Sequence, residues 1–321
     1  MSSGLLQPPA SPLRSFRHQG IEFYVYERAE DMGAASAHAL ASRQLDLAVK
    51  QSRIGFLIMA APSAFAFYDS YVRLAAQSAQ LREAIARTDF FQFDEYPLPA
   101  SHPASFRYLL ETHFFSKLGA ICPRLLFHPL AVDSGQPEDV CRHYSEQVLS
   151  SGPDVQLKGV GENGHWGFHE PGVPLDGAPA YITVNLSAEN AAQQLRDHPK
   201  LFRAPGDVPR EAYTANVPMF LRTRVCIEDN VPQASKAFAL LAAYGTDVVD
   251  AAVPSSALKR HPAAAVRTTV AAVWALEDYI ARGVVTPETI RRMATSLGAK
   301  DVAAVSKHLT DVLLEMGLRL A

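Results

Sequence analysis

The segment Gly-Val-Gly-Glu-Asn-Gly-His-Trp-Gly-Phe-His-Glu-Pro, residues 159 to 171, gathers four glycines, two histidines and the acid Glu170 directly behind a run of strand-forming residues. Glycines in such a loop permit positive φ and close approach of backbone to a ligand. His165 can act as an acid or base near neutral pH, and Glu170, five residues on across a tight loop, is spaced to hydrogen-bond its second ring nitrogen and fix the tautomer. A polar loop histidine with no chemical role reads equally well from this segment alone. A metal does not fit: Gly164, Gly167 and Pro171 oppose the helix that an i, i+4 pair of His165 and His169 needs, and no third ligand is evident.

Asp94 follows the aromatic run Phe90 to Phe93. Partial desolvation there raises a carboxyl from its ordinary value of about 3.9 and makes it a better base, suited to taking a proton from a carbon next to a carbonyl. For a lone aspartate in such a loop, an N-cap or Asx-turn is the commoner role. Glu228-Asp229-Asn230, after Val225 to Ile227, is the third polar cluster of this kind.

The elements that must position these residues alternate. Ile21 to Tyr26 reads as a strand, Asp31 to about Lys50 as a helix, Ile54 to Ala60 as a strand before a helix from about Ala64, and Phe90 to Phe93 as a strand before a helix from about Pro103. A helix beginning near Pro137 precedes the strand Val155 to Val160. Tyr181 to Leu186 and Arg224 to Ile227 read as strands followed by helices near Ser187 and Gln233. Beyond His261-Pro262 the pattern turns helical: Val266 to Ile280, Pro287 to Leu297 and Asp301 to Leu318, broken by Gly283 and Gly298. This alternation predicts an α/β fold with a mainly parallel sheet covered on both faces and a helical C-terminal extension. In such sheets ligands bind outside the carboxyl ends of the strands, where the three clusters fall.

Composition sets the bounds. The 321 residues are 48% hydrophobic, enough for a sizeable core, and 30 basic against 33 acidic residues give a formal net charge of −3 with no long like-charge run. No nucleic-acid or anionic-membrane partner is expected, and a small soluble ligand is. Cys122, Cys141 and Cys226 are odd in number and widely spaced, which suits free thiols in a reducing compartment. The absence of an apolar leader or a membrane-length run points to the cytoplasm. Residues 1–20 are expected to be a loose arm, and 21–321 one domain that includes the C-terminal helices from about 264.

Phe93-Asp94-Glu95-Tyr96, then His102-Pro103-x-Ser105-Phe106, then Gly159-x-Gly161-x-x-Gly164-His165-x-x-Phe168-x-Glu170-Pro171, together resemble the glucosamine-6-phosphate deaminase family from about residue 50 to 262. The sibling 6-phosphogluconolactonases share the Gly-x-Gly-x-x-Gly-His core but typically continue with Ser-Leu-Phe-Pro and carry Arg where Tyr96 stands. Phe168-His169-Glu170-Pro171 therefore favours the deaminase branch.

The resemblance implies a modified Rossmann-like, three-layer α/β/α domain. It would convert an amino sugar 6-phosphate, glucosamine 6-phosphate or a close relative, and water into a keto sugar phosphate and ammonia without cofactor. Asp94 matches the family's general base, His165 the ring-opening residue and Glu170 its partner. Asn163 falls where members have Asp or Asn, in an orienting role. Ser63, Arg196 and Lys236 match phosphate ligands. Ala60-Ala61-Pro62-Ser63-Ala64 replaces the usual glycine-bearing phosphate loop, and Pro62 has no N–H to donate. Trp166, Asn216 and Pro218 stand where smaller residues or glycines are usual, so a narrower pocket and a different or non-phosphorylated sugar are expected alternatives. A lactonase and a non-catalytic sugar-phosphate sensor are the others, the last having no need of Asp94, His165 and Glu170 together. The family includes monomers and hexamers, which leaves a homo-oligomer open.

Overall fold

The computed structural model describes residues 9–321. Among the described residues, eleven strands form two sheets: Arg14–His18 (β1), Ile21–Tyr26 (β2), Ile54–Ile58 (β3), Thr88–Gln92 (β4), Asp94–Glu95 (β5), Leu126–His128 (β6), Pro153–Lys158 (β7), Tyr181–Asn185 (β8), Glu211–Ala215 (β9), Cys226–Val231 (β10) and Ala264–Thr269 (β11). The larger sheet has the order β1-β2-β11-β10-β7-β3-β4-β6 and the smaller β5-β9-β8. Every pairing in the larger sheet is parallel except that of β1 with β2. All residues of β3, β4, β7 and β10 are buried, so helices and loops cover both faces of the sheet centre, as the apolar runs predict.

Four expectations are corrected. Within the expected loose arm, Arg14–His18 instead forms β1, held by the backbone ladder to β2 and by the stack of Phe16 on Phe23 at 4.9 Å; residues 1–8 lie outside the described residues. Ala264–Thr269 is a strand, not the approach to a helix, because pairing with β10 on one side and β2 on the other overrides the helix preference of its alanines. The helix proper starts at Val270. Tyr181–Asn185 pairs antiparallel with β9 in the small sheet and takes no part in the parallel one. Glu228-Asp229-Asn230 lies inside β10, not after it, because neighbouring strands neutralise the acids: Glu228 pairs with Arg267 of β11 at 2.6 Å and Asp229 with Lys158 of β7 at 2.8 Å.

The helix Ala29–Lys50 packs along the sheet with Phe65–Gln77 beside it, and Val270–Arg282 packs against Ala237–Tyr244. The C-terminal helices Pro287–Ser296 and Val302–Glu315 lean on each other and on Ala237–Tyr244. No helix among the described residues is long and apolar enough to cross a membrane.

From β3 the chain winds outward through β4 to β6; from β7 it winds the other way through β10 to β11. The reversal falls between β3 and β7, which are adjacent, and a crevice opens at their carboxyl ends.

Candidate active site

A cleft occupies that crevice, and it is lined from the ends of β3 (Met59 to Ser63), β4 (Phe93, Asp94), β7 (Gly159 to Gly161, His165, Gly167, Phe168) and β10 (Gln233, Lys236), with Gln193, Gln194, Asp197 and His198 closing one wall. The last four come from the C-terminal half of the helix Ala188–Asp197 and the residue that follows it.

Asp94 and Glu95 are adjacent carboxylates in opposite environments. At their position the chain leaves the parallel sheet and pairs with Thr214 and Tyr213 of β9. Asp94 is 5% exposed, lines the cleft, and its carboxylate accepts no hydrogen bond from any described residue. Burial first, and then the charge of Glu95, hold its pKa well above the usual carboxylate range. Glu95 points the other way, into the start of the helix Phe106–Leu110. It accepts from the Ser105 hydroxyl (2.9 Å), the backbone N–H groups of Tyr96 (2.8 Å), Phe106 (2.7 Å) and Arg107 (2.7 Å), and Gln92 Nε2 (3.3 Å). Glu95 thus anchors the turn that presents Asp94. Sequence reasoning missed it, although Ser105, the N-cap found eleven residues after Asp94, was the available signal.

The His165 ring lies directly on Gly161: a Cβ at that glycine would fall 2.1 to 2.2 Å from three ring atoms. Its Nδ1 is 2.8 Å from Asn163 Oδ1, and Asn163 donates through Nδ2 to Glu170 Oε2 (3.1 Å) and Ser187 Oγ (3.1 Å). Asn190 donates to the other Glu170 oxygen. The direct His165–Glu170 contact expected from spacing is therefore replaced by a relay in which Asn163 stands between them. The intervening turn, with Gly164 and Gly167 at φ of +87° and +60°, swings Glu170 behind Asn163. Burial, and then the nearby Lys236 and Lys158 ammonium groups, lower the His165 pKa to about 3, so the ring is neutral in ordinary buffers.

A fully buried pair supports this loop from beneath. Lys158 Nζ lies 2.8 Å from Asp229, 3.3 Å from Ser255 Oγ and 4.9 Å from the centre of the Trp166 ring, and Ser255 Oγ donates to the His165 carbonyl at 3.1 Å. Tyr244 adds a 2.6 Å bond to Asp229. Neither the apolar run before Lys158 nor the polar cluster around Asp229 gave a hint in sequence that the two would meet on adjacent strands.

Of the three residues matched to phosphate ligands, Ser63 and Lys236 line the cleft and Arg196 does not. Lys236 is 5% exposed, and its ammonium group makes no hydrogen bond or ion pair among the described residues; burial lowers its pKa. Arg196 is ion-paired to Glu162 and lines a neighbouring cavity against the C-terminal helices. Three other expectations about the pocket change. Trp166 is fully buried, stacked on Phe220 at 5.0 Å with its N–H on Gln156, and lies outside the cleft. Asn216 caps the short helix Val217–Phe220, in which Pro218 sits, again away from the cleft. His169 bonds Val217 N–H and Val173 O through its two nitrogens.

Residues 66–168 match the family model described as Glucosamine-6-phosphate isomerases/6-phosphogluconolactonase. A glucosamine-6-phosphate deaminase of Geobacillus sp. (strain WCH70) is 30% identical over 198 residues, 60% of this chain and 74% of that protein. Among solved structures, a monomeric glucosamine-6-phosphate deaminase superposes with a TM-score of 0.65 at 23% identity, over 78% of this chain and 98% of its own. A 6-phosphogluconolactonase from Shewanella baltica OS155 gives a TM-score of 0.62 at 16% identity, over 77% and 97%. At those identities the structural likeness speaks to the fold, which is common to both activities, whereas the family-model match spans Asp94 and His165. The chain belongs to the glucosamine-6-phosphate isomerase/6-phosphogluconolactonase family.

Proposed function

We propose that the chain is an aldose–ketose isomerising deaminase, which converts an amino sugar and water into a keto sugar and ammonia. One observation carries this reading: an unpartnered, desolvated carboxylate (Asp94) and a neutral, oriented imidazole (His165) face the same cleft. The reaction needs both types of group. His165 serves the ring oxygen, opening the sugar to its aldehyde form, with Asn163 holding Nδ1 and Glu170 holding Asn163. Asp94 takes the proton from C2 and the resulting enolamine is reprotonated at C1, leaving an imine at C2. Water adds to that carbon, and ammonia leaves as the ketone forms. No step calls for a metal or organic cofactor.

Kinship supports amino sugar 6-phosphates, with glucosamine 6-phosphate first, and Ser63 and Lys236 as the groups that would meet the phosphate. The position of Arg196 outside the cleft favours a second reading, a sugar without phosphate. Incubation with a panel of amino sugars and their 6-phosphates should release ammonia and keto sugar in equal amounts from at least one of them. Ammonia from none refutes the deaminase.

A further inference from the structure

The ion pair beneath the 159–171 loop is poorly built for stability. Lys158, the last residue of β7, and Asp229, inside β10, are fully buried, and a buried ion pair seldom improves on apolar residues of similar volume. Asp229 is also underserved. Lys158 and the Tyr244 hydroxyl both donate to its Oδ2, and its buried Oδ1 has no partner among the described residues.

The other contacts of Lys158 converge on the loop that carries His165. Its ammonium donates to Asp229 (2.8 Å), to the Gly159 carbonyl (3.3 Å) and to Ser255 Oγ (3.3 Å), and lies 4.9 Å from the centre of the Trp166 ring. Ser255 passes the hold on: its hydroxyl donates to the His165 carbonyl (3.1 Å) and its N–H to the Gly164 carbonyl (2.9 Å). The loop is thus gripped at its first residue and again at 164, 165 and 166. On the far side of the ring, Asn163 spends Nδ2 on Glu170 and Ser187, so its Oδ1 accepts from His165 Nδ1 at 2.8 Å. The neutral ring therefore carries its hydrogen on Nδ1 and leaves the Nε2 lone pair free. That bond holds only while the His165 backbone stays in place.

We propose that Lys158, paired with Asp229, is a positioning residue for the reaction: through Ser255 it fixes His165 in the orientation and tautomer that turnover needs. The proposal rests on the deaminase reading for the role of His165, so one of its two readouts is independent of turnover. Lys158→Met/Asp229→Val/Tyr244→Phe removes both charges together with the hydroxyl that would lose its acceptor, so no charge is left buried alone. In the folded whole protein, checked by thermal unfolding, KM on the best amino sugar should stay within about threefold. The kcat should fall by at least about tenfold, since a misplacement of about 1 Å costs about 10²-fold. Nitrogen NMR shifts of the His165 ring, assigned by their loss in His165→Gln, should show one protonated nitrogen in the parent and a mixture of tautomers in the variant. A folded variant that keeps kcat within about tenfold, loses binding instead, or shows the parent's shifts overturns the proposal. If the parent releases ammonia from no sugar of the panel, the deaminase reading fails and the shifts alone decide. Ser255→Ala, which leaves both charges in place, should move both readouts in the same direction and decides the matter where the triple variant does not fold. An unchanged Ser255→Ala protein overturns the proposal as well.

Discussion

Replacing Gly161 with alanine tests the seating of His165. The new Cβ would stand 2.1 Å from Cε1 and 2.2 Å from both ring nitrogens. Nonbonded carbons need about 3.5 Å, so the ring must retreat by about 1.3 Å. The 2.8 Å contact from Nδ1 to Asn163 then opens towards about 4 Å, beyond hydrogen-bonding range. A misplacement of about 1 Å costs about 10²-fold in rate, and complete loss of an acid/base group about 10² to 10⁴. The expected outcome is therefore a fall in kcat of at least about 10²-fold, with overpacking costing about 1 to 3 kcal/mol in stability. Ammonia release on the best substrate of the panel, beside thermal unfolding, separates the two effects. Gly206→Ala, whose Cβ meets nothing within 4 Å, is the control. A folded Gly161→Ala protein with kcat within about threefold of the parent would refute the idea that the bare glycine exists to seat the ring.

Asp94→Asn should abolish most turnover, by about 10² to 10⁴, while stabilising the protein at neutral pH by about 1 to 3 kcal/mol, because a buried carboxylate without partners is removed. The sign follows from the raised pKa. The ionised group opposes folding above its unfolded pKa of about 3.9, so the gain should vanish as the pH falls below that value. The acid limb of kcat/KM in the parent should correspondingly lie above the ordinary carboxylate range, and urea titrations at pH 7 and pH 3.5 check the stability half. Glu95→Gln should destabilise by about 2 to 4 kcal/mol, since an amide NH2 would face donors that now meet carboxylate oxygens, and activity should fall with the loosened Asp94 turn; unchanged unfolding would dismiss the anchoring role.

Much of this arrangement was legible in the chain. The alternation of apolar runs and helices gave the parallel sheet, and the polar residues behind those runs marked the ends of β4 and β7 where the cleft opens. What was not legible depended on partners distant in sequence. Ala264–Thr269 looks helical until two flanking strands claim its backbone. Asp229 looks like a loop acid until Lys158 meets it across the sheet. Spacing placed Glu170 near His165, yet only the positive-φ turns at Gly164 and Gly167 decide that Asn163 comes between. Arg196 sits at the expected place on its helix, but its direction is set by Glu162, a residue of the loop opposite.

Because the crevice lies where the winding reverses, its walls are drawn from segments spread between Met59 and Lys236 and meet only after the central strands have all been laid side by side. No contiguous fragment short of that span contains the whole lining. Turnover is consequently a stringent reporter of complete assembly: during refolding it should appear later than helical signal, since pairings of such long sequence separation form slowly.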